Sequence, residues 1–376
     1  MRILYWTPLF WPNIGGIETL SINALPALQR RNYEFVVVAS HNELNLPDEM
    51  NYNGIPIYRF QFWKALTKRD LTEVVRLQKR VAYLKRTFKP DLVHLHFPGH
   101  LAYFHVSTLN AHPAPTLLTV HTDFYGTRGD QNTMFGKVLR SSAWTTAVSE
   151  STLSDISQIV PEILNRSSVI YNGLEAPKIL PEPIPFDPPR ILCIGRLVHD
   201  KGFDLVITVF APLIHSFPQA RLIIAGDGPA REDLERQAAA LGLKDAVEFT
   251  GWISPNKVPE LINKATVVVI PSRYREPFAI VAVEAAQMAR PVIATRIGGL
   301  TESVIHKQTG LLFEMENVQG LFEAISFILD HPDTAMRMGH NGRARALDIF
   351  GLEKYVDAYD RLYLRLINEA ENAHSA

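Results

Sequence analysis

Arg196 and Lys201 stand five positions apart in the stretch 194–202, Ile-Gly-Arg-Leu-Val-His-Asp-Lys-Gly, where an apolar run ends in glycine and a helical pattern follows. Two cations on one such loop can neutralise a pair of phosphates. An arbitrary Arg/Lys pair is usually a solvated surface feature, but the carboxyl end of a strand is where α/β sheets bind ligands. Downstream, in 271–284, Glu276 falls in a loop and Pro277 suits the first turn of the following helix. The amides of Phe278, Ala279 and Ile280 would then face a ligand unpaired. Glu284 lies two helical turns further on, on a face close to that of Glu276, among apolar neighbours that make a merely solvated role awkward. Carboxylates at the two ends of this segment can accept hydrogen bonds from hydroxyls at the two ends of a sugar nucleotide, while the cations take its diphosphate. Transfer of a glycosyl group needs that set of groups in a dry cleft.

The first half offers less. Gly15 and Gly16, within Pro-Asn-Ile-Gly-Gly-Ile-Glu at 12–18, let a backbone approach a phosphate closely, although paired glycines are more often only a turn. The spacing is wrong for a dinucleotide fingerprint, as is that of Gly226-Asp227-Gly228-Pro229, which reads as a strand-to-helix turn. His121 follows an apolar run beside Thr122 and Asp123, and a buried structural histidine is an equal alternative. His94 and His96 alternate on 92–97 but have no acidic or Cys partner at zinc-like spacing, so they read as structural. No Asp-x-Asp pair occurs, which leaves a divalent metal without its usual carboxylates and the diphosphate to cationic side chains.

These groups need a scaffold, and the chain supplies a repeated one. Short β-branched or apolar runs at 2–5, 35–39, 92–95, 116–120 and 144–148, then at 190–194, 221–225, 246–249, 267–270 and 292–294, alternate with helical patterns. They predict parallel strands joined by crossover helices, an α/β class of two doubly wound, Rossmann-like domains. Six prolines in 177–189 predict a stiff linker between an N-terminal domain over 1–176 and a C-terminal domain over 190–352. If the carboxyl edges of the two sheets face each other, the cleft between them holds the site. The segment 353–376 carries apolar residues at Tyr355, Val356, Tyr359, Leu362, Tyr363 and Leu366, a helical period suited to packing back on the first domain.

Composition places the chain among ordinary soluble globular proteins: 376 residues, 47% hydrophobic, net charge -1. The lone Cys193 makes no internal disulfide, and the apolar stretch 3–10 is too brief for a signal or membrane segment, so a cytoplasmic address is expected. Near-neutral charge without an aromatic-basic motif argues against nucleic acid. Charge is concentrated in one place, where Lys64, Lys68, Arg69, Arg76, Lys79, Arg80, Lys85, Arg86 and Lys89 fall within 64–89. This is either a solvated helix face or a peripheral docking element for an anionic membrane, with Phe60, Phe62, Trp63, Leu71, Val74, Val75, Leu77, Val81, Tyr83 and Leu84 as apolar material.

In their order these residues resemble glycosyltransferase family 4, retaining enzymes of the GT-B fold, and the match covers essentially the whole chain. The elements that carry the resemblance are Glu276-x7-Glu284, the loop from Gly195-Arg196 to Lys201-Gly202, Asn172-Gly173, Gly226 to Pro229, and Gly298-Gly299-Leu300-Thr301-Glu302. The resemblance implies that Arg196 and Lys201 bind the donor diphosphate and that Gly16 meets it from the other domain. By the same likeness Glu276 holds the sugar hydroxyls, Glu284 holds the ribose, and His121 lines the reaction centre. It implies front-face substitution, in which the departing phosphate takes the acceptor's proton and no cofactor or enzymic nucleophile is needed. Ala279 stands where such enzymes often carry glycine. The base-contacting segment would fall at 251–257, including Ile253, which holds no carboxylate for guanine, so UDP is favoured over GDP. The acceptor, a sugar, lipid or small-molecule hydroxyl, would meet Asn13, Asp123, Tyr125 and Arg128. A nucleotide-sugar epimerase and a non-catalytic sugar-nucleotide-binding module are the competing readings, whereas a phosphorylase would need phosphate as co-substrate and the chain is short for the pyridoxal-dependent type.

Overall fold

The computed structural model describes residues 1–13, 15–96, 99–121, 132–274 and 276–375. They form two compact units, Met1–Gly173 with Leu352–Ala376, and Leu174–Gly351. Unit one is built on β1 (Arg2–Trp6), β2 (Glu34–Ser40), β3 (Glu49–Tyr52), β4 (Ile55–Phe60), β5 (Leu92–Leu95), β6 (Thr116–Val120), β7 (Trp144–Ala147) and β8 (Ser167–Val169), in the order β3-β4-β2-β1-β5-β6-β7-β8. Every neighbouring pair is parallel except β3 with β4. Strands covered on both faces read as continuous apolar runs, and β1 shows why. Ile3 and Tyr5 enter one buried cluster, with the helices Gly16–Gln29 and Leu352–Ser375, while Leu4 and Trp6 enter a second on the opposite face, with the helix Leu71–Phe88.

Unit two carries β9 (Arg190–Ile194), β10 (Arg221–Ala225), β11 (Val247–Gly251), β12 (Val267–Ile270), β13 (Val292–Thr295) and β14 (Gly310–Phe313), all parallel, in the order β11-β10-β9-β12-β13-β14. Counted from β9 this is the 3-2-1-4-5-6 order of a doubly wound sheet, so the direction of winding reverses between β9 and β12. In unit one the same reversal falls between β1 and β5. Ligands of such sheets bind beside the reversal, at the carboxyl ends of the strands.

Four strands escape the reading of the sequence. β4 contains Pro56, β3 is a polar edge strand paired antiparallel to it, and β8 and β14 are only three and four residues long. The run 177–189 holds no helix or strand and is fastened along unit two, where Asn263 receives the Glu182 amide at 2.9 Å and donates to the Leu180 carbonyl at 3.1 Å. The helix Leu352–Ser375 buries Tyr355, Val356, Tyr359, Leu362, Tyr363 and Leu366 in unit one. Three carboxylates on its other flank, Glu353, Asp357 and Asp360, surround the Arg31 guanidinium. Among the described residues no helix is long and apolar enough to cross a membrane.

Candidate active site

In unit two the loops that follow β9 and β12, the strands flanking the reversal, are those that carry Arg196, Lys201 and Glu276. The first loop is held from beneath by the next one. Its Gly195 amide reaches the Ala225 carbonyl at 3.0 Å and its Leu197 amide the Asp227 carbonyl at 2.9 Å. Gly228, at φ +154°, passes so close that a Cβ there would sit 2.5 Å from the Leu197 carbonyl oxygen, which only glycine tolerates. Arg196 is exposed, and its guanidinium has no recorded partner among the described residues.

Lys201 Nζ donates to Glu276 Oε1, and the Ser272 hydroxyl donates to the same oxygen at 2.8 Å. The backbone of Glu276 is fixed as well, because the Gly299 amide donates to its carbonyl at 2.7 Å. At Gly298, with φ +48°, a Cβ would fall 2.6 Å from that carbonyl oxygen. The Gly298-Gly299 pair is thus the support under Glu276. Arg273, which the sequence did not single out, ties the two loops together. Its guanidinium contacts Asp204 at 2.5 and 2.7 Å, Glu316 at 2.5 Å and the His199 carbonyl at 3.2 Å, and its amide meets the Asp200 carbonyl at 2.8 Å. The guanidinium in turn holds the Asp204 carboxyl below its ordinary range despite burial.

Two details of the segment after β12 differ from expectation. The helix begins at Ile280 and runs to Gln287, so Pro277 lies before it and the unpaired amides of its first turn start at Ile280, not Phe278. Phe278 and Ala279 are buried in the approach to it. Glu284 is therefore one turn into the helix and shares no helical face with Glu276, which precedes it. Its carboxyl is half-buried among apolar neighbours, has no recorded partner among the described residues, and is pushed by desolvation up to about 7. Ile253 is half-buried after β11 and packs on the cluster that contains Ala279, while Trp252 beside it is exposed. A cavity of about 740 Å³ lined by residues such as His306, Phe327 and Arg337 lies against β14 and includes none of these groups.

In unit one, Gly15 caps and Gly16 begins the helix Gly16–Gln29, the first helix after β1. The Glu18 carboxylate folds back over Gly15 and takes its own amide, and burial raises its carboxyl above the usual range. Asn13 is held in the turn, donating to the Phe10 carbonyl at 2.8 Å and accepting from Asn42 at 2.5 Å. Asp123, Tyr125 and Arg128 lie outside the described residues. His121, at the end of β6, is buried, and its Nε2 meets His96 Nδ1 at 2.9 Å. His96 Nε2 lies 3.2 Å from His94 Nδ1, which lies 2.6 Å from the Tyr363 hydroxyl. Burial pushes the His121 imidazolium down to about 3 and those of His94 and His96 well below the ordinary range, so all three rings are neutral at pH 7. His94 and His96 are thus more than isolated structural residues, and their nitrogens are turned on one another. Among the described residues no three His, Cys, Asp or Glu side chains are arranged to share a metal ion.

Two doubly wound, largely parallel sheets, with cations and a carboxylate at the reversal of winding in the second, place the chain in the α/β class whose ligands bind at such a reversal. Comparison with known proteins makes the class specific. The family described as Glycosyltransferase Family 4 matches residues 14–176, and that described as Glycosyl transferases group 1 matches residues 178–345. The chain belongs to the family 4 type of GT-B glycosyltransferases. It is 29% identical over 295 residues to a glycogen synthase of Mycobacterium tuberculosis, covering 74% of this chain and 70% of that one. A GDP-mannose-dependent alpha-(1-6)-phosphatidylinositol monomannoside mannosyltransferase of Mycolicibacterium smegmatis is 36% identical over 168 residues, 43% of this chain and 44% of that one. Among solved structures, Anabaena HepE in complex with UDP superposes with a TM-score of 0.80 at 21% identity, over 96% of this chain and 99% of that one.

Proposed function

We propose that the chain is a retaining hexosyltransferase that moves a hexosyl group from a UDP-sugar to a hydroxyl acceptor without a metal ion. The observation that carries this reading is the convergence of Arg196, Lys201 and Glu276 on the two loops beside the reversal in unit two. Arg196 has no competing partner among the described residues and is assigned to the diphosphate. Lys201 exchanges Glu276 for a phosphate oxygen when donor binds, which frees Glu276 Oε1 to accept a sugar hydroxyl. Glu284 accepts from the ribose hydroxyls, and this interaction favours its ionised form. As the glycosyl–phosphate bond breaks, the two cations take up the growing negative charge, the term that usually contributes most to such catalysis. The departing phosphate oxygen removes the proton of the attacking hydroxyl, so no protein nucleophile enters the step.

UDP is favoured because 251–257 offers backbone groups but no carboxylate to guanine, and the Anabaena protein of the same fold was solved with UDP. The mannosyltransferase relative uses GDP-mannose, so the choice needs a direct test. Ligands that bind only the native state raise its melting temperature. UDP is expected to raise it more than GDP at equal concentration, and equal or inverted shifts would remove the preference.

A second reading concerns where the acceptor is met. On the helix Leu71–Phe88, Val74, Leu77, Val81 and Leu84 are core, and so are Phe60 and Phe62, so that part of the apolar material is unavailable to a membrane. Lys85 is buried too, donating to the His105 and Thr108 carbonyls at 3.2 and 3.3 Å. What remains outside is Leu71, Val75, Lys79 and Tyr83, four positions apart along one stripe, flanked by exposed Trp63, Lys64, Lys68, Arg69 and Arg86. Exposed aromatic and apolar groups among cations suit an anionic lipid surface. We therefore place the enzyme at the cytoplasmic membrane face, with a lipid or lipid-linked glycan as acceptor.

A further inference from the structure

Three loops at the carboxyl edge of the sheet in unit two meet at one side chain. Arg273 lies in the segment after β12, three residues before Glu276, and its side chain is only 14% exposed. A guanidinium carries five N–H hydrogens in a fixed fork. In Arg273, Nε donates to Glu316 at 2.5 Å, in the turn after β14. Nη1 donates to Asp204 at 2.5 Å and to the His199 carbonyl at 3.2 Å, and Nη2 to the other Asp204 oxygen at 2.7 Å. Four of the five hydrogens are therefore committed inside the protein. That leaves Arg273 poorly suited to hold a phosphate itself, in contrast to Arg196.

What the fork grips is the backbone that carries Lys201. His199, Asp200 and Lys201 form one short 3-10 turn. The His199 carbonyl receives the guanidinium, and the Asp200 carbonyl receives the Arg273 amide at 2.8 Å. Asp204 stands in the first turn of the helix Phe203–Ser216, just beyond Lys201, so Arg273 holds residues on both sides of that cation. On its own segment Arg273 is next to Ser272, whose hydroxyl donates at 2.8 Å to Glu276 Oε1, the oxygen that also receives Lys201 Nζ. The third arm reaches a backbone that is itself unusual. Glu316 stands at φ +61°, in the left-handed region that non-glycine residues seldom adopt, and such conformations persist where the surrounding contacts hold them.

We infer that Arg273 is a positioning residue: by latching the turn before Lys201, the segment before Glu276 and the turn after β14 to one point, it fixes Lys201 Nζ against Glu276 Oε1 and so aligns the cation with the departing phosphate. The alignment with phosphate rests on the transferase reading above; the fixing of the pair does not. Arg273 acts through Lys201, so losses at the two positions are not additive.

The test measures nucleotide release by the full chain from the UDP-, GDP- or ADP-sugar that wild type turns over fastest. Arg273→Gln is expected to lower kcat/KM about tenfold on its own and less than about twofold in the Lys201→Ala background. Equal losses in the two backgrounds overturn the inference. Arg273→Lys keeps the charge without the fork and should lose as much as Arg273→Gln; full activity with lysine overturns it too. The pair is also read without turnover. In a cycle of Lys201→Ala and Glu276→Gln, the urea-unfolding constants should show a coupling of about threefold in wild type and none in Arg273→Gln. A coupling absent from wild type, or unchanged in Arg273→Gln, contradicts the latch. If Arg273→Gln does not fold, Glu316→Gly replaces it, because glycine accepts the φ of that position while one arm is lost. It should lower kcat/KM about threefold, and wild-type kcat/KM with wild-type coupling would overturn the inference. A coupling lost with the latch, in a protein that releases nucleotide from no sugar nucleotide, leaves the latch standing and sinks the transferase reading instead.

Discussion

Lys201 Nζ and Glu276 Oε1 are bonded, so the cation of the loop after β9 and the carboxylate of the loop after β12 neutralise one another. On the proposed mechanism donor binding separates them. Lys201→Ala is expected to lower kcat/KM by about 2–4 kcal/mol, roughly 30- to 1000-fold. Steady-state release of nucleotide measures it, and a loss below threefold would remove Lys201 from the site.

Glu284 ties stability to pH. Its carboxyl is raised by desolvation from 4.5 to about 7 in the folded chain, so between those values the native state holds a proton that the unfolded state has released. Stability therefore falls as pH rises from 4.5 through 7, at up to about 1.4 kcal/mol per unit. Glu284→Gln should melt higher than wild type at pH 8 and equally at pH 4.5, while losing donor affinity. A variant that melts no higher at pH 8 contradicts this account of the carboxyl.

Lys85 gives the opposite slope. Burial lowers its ammonium from 10.5 to about 7, so between those values the unfolded chain holds the extra proton and stability rises with pH. Chemical denaturation at pH 7 and pH 9.5 should show the gain, and Lys85→Met should flatten it. A wild-type profile falling over that range would mean that other groups dominate.

The exposed stripe on the helix Leu71–Phe88 predicts binding to vesicles that contain anionic lipid, weakened by high salt and by Trp63→Ala with Tyr83→Ala. Co-sedimentation checks it. Binding independent of anionic lipid, or none, ends the membrane reading.

Much of this architecture is legible in residue order. β5, β6, β9, β10 and β12 have the bounds of their apolar runs, because a strand buried on both faces must be apolar throughout. Among the strands that were missed, β4 carries Pro56 and β3 is a polar edge strand, so that rule fails for them. Arg196, Lys201 and Glu276 could be picked out because strand ends and glycines mark their loops. Arg273 could not, since its partners Asp204 and Glu316 meet it only through the tertiary fold. The same holds for the buried contacts between His94, His96 and Tyr363. His94 on β5 and His96 just past its end lie two residues apart and share a face, and Tyr363 has the period of a packing residue, but nothing in the sequence brings its hydroxyl to an imidazole.

The most direct measurement is nucleotide release from a panel of UDP-, GDP- and ADP-sugars, in EDTA, with wild type and with Arg196→Ala and Glu276→Ala. The account predicts slow UDP release from a UDP-sugar by wild type, accelerated by an acceptor with the donor's anomeric configuration kept in the product, and lost in both variants. Conversion of UDP-N-acetylglucosamine to its epimer without an acceptor, or donor binding intact in Glu276→Ala with no turnover from any donor in wild type, would contradict it.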